Sequence, residues 1–293
     1  MSNELPPHSI PPSSPVDPSV IRVLRVLDPI ASVAGCEYFV AGATARDLIL
    51  VHVYGLRPGR ATRDIDFGIA VRDWDQFAWL KERLVATGQF EFDRKMLQRL
   101  IYFDLSAEFS IPIDLIPFRG VVSDDNTIKW PPSRDIVMNI AGFEEASASS
   151  VSIQLEDNLR VRVASLPGLT LLKLIAWSDR SRETNKDAAD LYRLLTTYAD
   201  AGNTDRLYEH EIDLLGAVGF DMELAGAQLL GRDVVRLCTP IILAQIRSLL
   251  GSQSDLERLV RQMVQTSTHS EATPAVERVV NSFCGGIRSD GWG

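Results

Sequence analysis

The sequence predicts an α/β fold in which a mixed-sheet domain is followed by a helical domain. Strand-like and helix-like segments alternate over about the first 160 residues, and only helical periodicity follows. The chain has 293 residues, which is too long for one typical domain. Hydrophobic residues make up 45% of it and charged residues 24%, a composition typical of folded proteins.

We predict a flexible proline-rich tail over residues 1–18, a sheet domain over 19–160 and a helical domain over 161–293. The tail lacks the basic and apolar pattern of a targeting signal, and no apolar run reaches the roughly 18 residues of a membrane helix. The three cysteines are far apart and outside metal-ligand spacing, as expected in a reducing compartment. We therefore expect a cytoplasmic protein with no membrane partner.

Each element is predicted from its apolar pattern. Helices show apolar residues three and four apart, whereas strands show alternation or a short β-branched and aromatic run. In the first domain these patterns predict a helix over 20–34, a strand over 37–41, a helix over 43–53, a strand over 63–71, a helix over 73–87, and strands over 100–105 and 111–117. In the second domain they predict helices over 166–177, 187–198, 206–217, 221–230, 234–250 and 255–265.

Two aspartates lie in the predicted strand over 63–71. Asp64 and Asp66 are two residues apart, so their carboxylates point the same way. Like charges this close repel each other unless a cation or a proton neutralises them, and Mg²⁺ prefers a few carboxylates completed by water and phosphates. The alternative is the solvated polar face of an amphipathic strand, which the spacing alone does not exclude.

A third aspartate, Asp114, lies among apolar neighbours in a predicted strand. Burying an unpaired carboxylate costs several kcal/mol or more, so Asp114 needs a partner. A metal ion shared with Asp64 and Asp66 supplies one, since three acids on adjacent strands suit a two-metal phosphoryl- or nucleotidyl-transfer centre.

Two alternatives to this assignment stay open. An arginine, Arg99 or Arg119, would also satisfy Asp114 by forming an ion pair. Asp104 is the runner-up third acid, in less apolar surroundings.

A glycine turn stands between the first predicted strand and the following helix. Gly42, Ala43 and Thr44 would let the backbone approach a triphosphate, whose oxygens accept N–H bonds at a helix N-terminus. The alternatives are a plain strand-to-helix turn and, for Arg46 and Asp47, a surface charge pair.

In this order, the motifs resemble those of the DNA polymerase beta-like nucleotidyltransferase superfamily. Residues 39–48, FVAGATARDL, and residues 63–67, RDIDF, are similar to the glycine turn and D-x-D pair that open that fold. Residues 171–177, LLKLIAW, then Arg180 and residues 185–191, NKDAADL, resemble the signature of AbiEii-type nucleotidyltransferases. Members of that family are commonly toxins of toxin–antitoxin or phage-defence systems.

The resemblance implies a Mg²⁺-dependent enzyme that transfers a nucleoside monophosphate from an NTP to an acceptor hydroxyl. It implies two Mg²⁺ ions, an RNA acceptor such as a tRNA 3′ end, and a cognate antitoxin protein as a partner. The residues it assigns to catalysis are Asp64, Asp66, Asp114 and Lys173, of which the three aspartates are also the metal ligands. Those it assigns to nucleotide binding are Gly42, Ala43, Thr44, Arg46, Lys173, Arg180 and Asp187.

Two features depart from the family pattern. Gly42 is followed by Ala43 where the family usually has serine or glycine, which removes a hydroxyl but keeps the backbone donors. Residues 52–60 lengthen the gap between Gly42 and Asp64, so nucleotide preference and acceptor geometry transfer less directly.

Helix geometry supports the second-domain motif independently. Lys173 and Trp177 are one turn apart, so Lys173 can project its ammonium toward a triphosphate, or else snorkel at the helix edge. Asp187 and Asp190 share a face of the next helix, where they can orient Lys173 or Arg180, or simply favour its positive N-terminal end. We expect the active site in a cleft between the two domains.

The charge balance keeps two other functions open. The 39 acidic and 30 basic residues give a net charge of −9, whereas RNA binding favours a basic surface. A nucleotidyltransferase acting on a small molecule or a protein would use the same metal centre. A non-catalytic nucleotide-binding regulatory module would keep the fold without turnover.

Overall fold

The computed structural model describes residues 8–11, 13–60, 62–103, 110–266 and 273–289. The chain folds into two compact units, one ending at Ser165 and the other beginning at Leu166. The sequence patterns place this boundary near residue 160. Within the described residues, the first unit holds the strands, and the second unit is helical.

The first unit is built on a sheet that has eight strands within the described residues. The strands of the unit are β1 (His8–Ser9), β2 (Tyr38–Ala41), β3 (Ile65–Val71), β4 (Phe90–Phe92), β5 (Arg99–Phe103), β6 (Ser110–Arg119), β7 (Thr127–Lys129), β8 (Val137–Asn139), β9 (Val151–Glu156) and β10 (Leu159–Val163). The sheet order is β1-β9-β10-β2-β3-β6-β5-β4, and β7 and β8 form a separate ribbon. Because β2 and β3 are antiparallel and β3 and β6 are parallel, the mixed sheet that the sequence predicts is confirmed.

Helices occupy both units. They are α1 (Pro18–Ala34), α2 (Gly42–Asp47), α3 (Trp74–Ala86), α4 (Phe143–Ala148), α5 (Leu166–Arg180), α6 (Lys186–Thr197), α7 (Thr204–Glu209), α8 (Ile212–Ala217), α9 (Met222–Leu237), α10 (Pro240–Gly251), α11 (Gln253–Thr266) and α12 (Thr273–Arg288). A π-helical turn, Leu48–Val53, continues α2, and another, Ala199–Asn203, precedes α7. In the part of the chain that is described, no helix has the length and apolar character needed to cross a membrane.

Local signals in the sequence explain where α1 and α3 begin and end. The Asp17 carboxylate accepts a hydrogen bond from the backbone N–H of Ser19 at the start of α1. Gly35 ends that helix at a φ of 67°, a left-handed conformation that glycine adopts at low cost. Asp73 caps α3 in the same manner through the N–H of Gln76.

The central strands carry the acids on one face, and aromatic side chains pack closely against the strand residues that follow the acids. Side chains alternate along β3, so Asp66 and Gly68 lie on the face opposite Phe67. The Phe39 ring of β2 fills the space above Gly68, where an added Cβ would lie only 2.3 Å from the ring. Phe39 in turn packs edge-on against Phe118 of β6. This packing fixes β2, β3 and β6 next to the acids.

The N-terminal segment differs from the predicted flexible tail. His8–Ser9 pairs in parallel with β9 at one edge of the sheet. The carbonyl oxygen of Ser14 lies 2.9 Å from Nδ1 of His52, and the Ser14 hydroxyl donates to the carbonyl of Val51. The proline pattern could not reveal these contacts because both partners are distant in the sequence.

Some elements differ from the sequence patterns. The β7–β8 ribbon and the β9–β10 pair are not predicted, because their strands have only three to six residues. The helix predicted over 206–217 is interrupted at His210. The break predicted between residues 230 and 234 occurs at Cys238 instead, because Pro240 begins a new helix. Asp104 lies outside the described residues.

The second unit contains an ion network around Asp233, a side chain that is almost fully buried. Its carboxylate accepts two bonds of 2.7 Å from Arg206, one of 2.7 Å from Arg236 and one of 2.6 Å from the Tyr198 hydroxyl. Burial and the Asp233 charge raise the pKa of Tyr198 well above its usual range. The network joins α7 and α9 to the residue that follows α6.

Replacing Asp233 with asparagine should destabilise the protein, because the guanidinium of Arg206 would lose the closer of its two acid partners and keep the pair with Glu211 at 3.3 Å. We expect D233N to lower the free energy of unfolding by about 2–4 kcal/mol, as measured by urea denaturation at pH 7. The matched control is D213N, which removes an exposed pair with Arg232 and should cost less than about 1 kcal/mol. Equal losses in the two variants would contradict the role assigned to Asp233.

Candidate active site

Parallel pairing of β3 with β6 brings the predicted acids together. The register places Asp66 directly opposite Asp114, and neighbouring strands lie about 4.8 Å apart. Asp64 stands two residues before Asp66, just ahead of β3. One carboxylate oxygen from each of the three aspartates lies within 4.8 Å of the other two. Asp114 is buried and the other two are half-buried, so the cluster remains partly accessible.

Gly42 lies against this cluster. In the antiparallel pairing of β2 with β3, Ala41 stands opposite Asp66, so the next residue comes close to the acid. Gly42 has a φ of +62°, and an added Cβ would lie 1.9 Å from Oδ2 of Asp66. Both the conformation and the space therefore require glycine at this turn.

The first residues of α2 support the segment that carries the acids. Ala43 and Thr44 are buried, and the Thr44 hydroxyl donates a 3.3 Å bond to the backbone carbonyl of Asp64. The hydroxyl of Thr62 donates to the Asp64 carboxylate. Asp64 is thus held from two sides, by its backbone and by its side chain.

Arg46, predicted to contact a nucleotide, is buried against the segment that precedes Asp64. It is only 2% exposed, and its guanidinium binds the Asp47 carboxylate at 2.9 and 3.1 Å. It also donates a 3.0 Å bond to the carbonyl of Arg60. These bonds hold the loop, and the nucleotide contact of Arg46 stays a prediction.

Asp114 also has an arginine partner. Arg99 stands opposite it in the antiparallel pairing of β5 with β6, and donates bonds of 2.8 and 2.7 Å to the two carboxylate oxygens. These bonds are the largest cause of the raised pKa of Arg99. Arg119, the other candidate, instead binds Glu37 and Glu144. Asp114 therefore belongs both to an ion pair and to the acid cluster.

The sequence patterns do not single out a buried lysine near the cluster. Lys81 is 7% exposed, and its ammonium donates to the carbonyl of Leu97 and lies over the rings of Phe77 and Phe92. Burial lowers the pKa of Lys81 to about 8, and the charge of Asp114 opposes that shift. The available signal was its position on the apolar stripe of α3, one turn after Phe77.

A cavity of about 620 Å³ adjoins the cluster. Asp64 and Thr44 line it on the side of the acids, and Asp17, Asp47 and His52 are among the other lining residues. A cavity of this size suits a nucleotide or another small molecule. Because Asp17 belongs to the predicted tail, part of that segment forms the cavity wall.

In the second unit, a separate charge cluster joins α5 and α6. The Lys173 ammonium lies 3.2 Å from the Asp187 carboxylate and 2.6 Å from that of Asp190, and both acids are buried. Arg180 donates bonds of 2.6 and 2.9 Å to Asp187, while its own side chain is 52% exposed. Burial would raise the pKa of Asp187, but Arg180 and Lys173 outweigh it and hold this pKa below its usual range. Trp177 is buried.

The mixed sheet, the glycine turn and the clustered aspartates fit the site of a nucleotidyltransferase, which is a class of enzyme. A family model described as "Nucleotidyl transferase AbiEii toxin, Type IV TA system" matches residues 25–281. The chain therefore belongs to the AbiEii nucleotidyltransferase family, and the resemblance stated from its motifs is confirmed. No curated protein matches the chain by sequence.

Solved structures that are similar to the chain are remote in sequence. An antigenic nucleotidyltransferase-like protein from Paracoccidioides brasiliensis is 15% identical at a TM-score of 0.42, covering 70% of this chain and 94% of its own. The antibiotic-resistance factor ANT(2'')-Ia is 12% identical at a TM-score of 0.36, covering 70% and 97%. A CCA-adding enzyme in complex with ATP is 16% identical at a TM-score of 0.25, covering 90% and 63%. At these values no residue role transfers to this chain.

Replacing Gly42 with alanine should disrupt the acid cluster, because the new Cβ would displace the Asp66 carboxylate. We expect G42A to weaken Mn²⁺ binding by at least about tenfold in a calorimetric titration. The matched control is G35A, since Gly35 has a similar φ of +67° but nothing within 4 Å of an added Cβ. G35A should lower stability by about 1 kcal/mol and leave Mn²⁺ affinity unchanged. Equal Mn²⁺ affinity in both variants would refute the contact.

Asp187 should stabilise the protein in a pH-dependent way. Its folded pKa is below the ordinary value of 3.8, so its contribution is present above that value and is lost as pH falls through the folded pKa. We expect D187N to be less stable than the wild type by about 2–4 kcal/mol at pH 7, with the gap shrinking below about pH 4. Urea denaturation from pH 7 to pH 2.5 measures this gap. A gap that stays constant throughout would contradict the lowered pKa.

Proposed function

We propose that this nucleotidyltransferase uses two Mg²⁺ ions to move a nucleoside monophosphate from an NTP to an acceptor hydroxyl. The observation that carries the proposal is the approach of Asp64, Asp66 and Asp114 to within 4.8 Å of one another. Carboxylate oxygens are hard donors that suit Mg²⁺, which keeps further positions for water and phosphate. Three like charges at this distance favour a cation among them.

The three acids take different roles in this proposal. Asp64 and Asp66 would hold both ions, and Asp114 would ligate the catalytic ion or accept the proton of the acceptor hydroxyl. The ions, when bound, neutralise negative charge at the α-phosphate and on the departing pyrophosphate. The hydroxyl oxygen forms a new bond to the α-phosphorus while the bond to the β-phosphate oxygen breaks, and the pyrophosphate leaves with that electron pair.

The proposed triphosphate donors are described for each unit by itself. In the first unit these are the backbone N–H groups of Ala43 and Thr44, and Gly42 supports this by keeping the start of α2 against Asp66. In the second unit they are Lys173 and Arg180. The support for Lys173 is its fixation by two buried acids, and the support for Arg180 is its 52% exposed side chain.

RNA is the first candidate acceptor, with a tRNA 3′ end as the expected RNA. This candidate comes from the resemblance to the AbiEii family, whose description names a nucleotidyl transferase toxin of a type IV toxin–antitoxin system. By the same reasoning, a cognate antitoxin is the expected protein partner. The net charge of −9 means that an RNA would have to be held by local arginines.

A small-molecule acceptor is the second candidate, and the cavity beside Asp64 favours it. The volume of about 620 Å³ would accept a compact molecule, and Asp17, Asp47 and His52 offer polar atoms to hydroxyl or amino groups.

The test is transfer of label from each α-labelled NTP, with Mg²⁺, to bulk tRNA, to protein or to a panel of small hydroxyl compounds. We expect label in tRNA. D66N should lower the rate about a thousandfold, as expected for losing about 4 kcal/mol of transition-state stabilisation. The matched control D75N removes an exposed acid of α3 and should leave the rate unchanged.

Other outcomes of this test separate the alternatives. Label in a small compound but not in tRNA would favour the second candidate. Metal-independent NTP binding that D64N leaves unchanged, with no label in any acceptor, would support a non-catalytic binding module and refute the proposed mechanism.

A further inference from the structure

We propose that Arg99 is a positioning residue that holds Asp114 in an ion pair and so competes with a metal ion for its carboxylate. In the absence of nucleotide, the acid cluster then holds only one divalent ion tightly. This inference rests on the metal-dependent reaction proposed above. It starts from the bidentate pair, in which both Asp114 oxygens accept a guanidinium nitrogen at 2.8 and 2.7 Å. Such paired, charge-assisted bonds fix the orientation of a carboxylate as well as its charge.

The main chain around Arg99 is fixed before any ligand arrives. Arg99 begins β5, and its N–H donates to the carbonyl of Met96 at 3.0 Å. The Asp93 carboxylate accepts bonds from the N–H groups of Lys95 and Met96, which closes the turn between β4 and β5. The buried Lys81 holds the same turn through the carbonyl of Leu97. The main chain therefore places Arg99 opposite Asp114 before any ligand arrives.

The charges around the cluster indicate what this pair does. A divalent ion that used Asp114 would lie close to the Arg99 guanidinium, and the two positive charges would repel each other. The side chains of Arg99 and Asp114 are only 21% and 12% exposed, so solvent screens this repulsion weakly. Asp64 also attracts the guanidinium.

Nucleotide binding would change this balance. An NTP brings several negative charges, and they offset the charge of Arg99 near its triphosphate. The second ion would then enter with the NTP rather than before it. Arg99 would thus make occupancy of the second metal position depend on the nucleotide. Before the nucleotide binds, it would keep Asp114 in one orientation.

The test is Mn²⁺ binding without nucleotide, followed by electron paramagnetic resonance at fixed pH and salt. The wild type should bind about one ion tightly per chain. R99M and R99Q, which remove the positive charge, should bind a second ion or bind Mn²⁺ at least about tenfold more tightly. R99K keeps the charge and should stay close to the wild type. The matched control R119M removes a guanidinium at the far end of β6, paired with Glu37 and Glu144, and should also match the wild type.

Thermal unfolding gives a second readout that a merely structural role would not produce. R99Q should unfold at a lower temperature than the wild type without metal, and added Mn²⁺ should raise its midpoint more than it raises that of the wild type. R99Q keeps a hydrogen-bond donor for Asp114, so it provides the measurement if R99M does not fold.

The outcomes separate this inference from the proposed function. If R99Q and the wild type bind Mn²⁺ with equal stoichiometry and affinity, the role of Arg99 is refuted, even where NMP transfer is found. If the wild type binds no Mn²⁺ with or without NTP, and D66N changes nothing, the metal-dependent function fails and the inference fails with it.

Discussion

The site depends on one constraint, which is that three carboxylates stay side by side on neighbouring segments of a sheet. Their mutual repulsion would separate the strands if nothing opposed it. The parallel pairing of β3 and β6 opposes it through the backbone, and the packing of Phe39 over Gly68 adds a contact that leaves little room for the strands to shift. Arg99 opposes it through charge.

In both units, ion pairs hold charged side chains in place, with opposite signs in the two cases. In the first unit, an arginine holds an acid in place within a cluster suited to a cation. In the second, two buried acids hold Lys173 and Arg180, which are suited to an anion. Pairing a charge with an opposite one fixes its position and reduces the cost of removing it from water. Each pairing also weakens the attraction of that charge for any further group of opposite sign.

The sequence was sufficient to predict that the acids lie together, but not which residues pair with them. The apolar runs around Asp66 and Asp114 predict strands, and the spacing of Asp64 and Asp66 predicts a shared direction. The choice between Arg99 and Arg119 needed the register of the β5–β6 pair, which short-range patterns do not contain. The same limit applies to His8–Ser9, which are held by β9, a partner distant in the sequence. Lys81 shows a different limit. It lies on the apolar stripe of α3, and the local pattern does not indicate that this charged residue is buried.

The cavity beside Asp64 divides the site into two kinds of wall. One wall is made by the central strands, where a shifted residue would disturb the acids. The other is made by the cap of α1 and by the π-helical turn, and Ser14 and His52 join these two segments through a hydrogen bond. Substitutions in this outer wall can change the shape of the cavity without moving Asp66 or Asp114. Within this fold, the cavity can therefore vary while the acid cluster stays as it is.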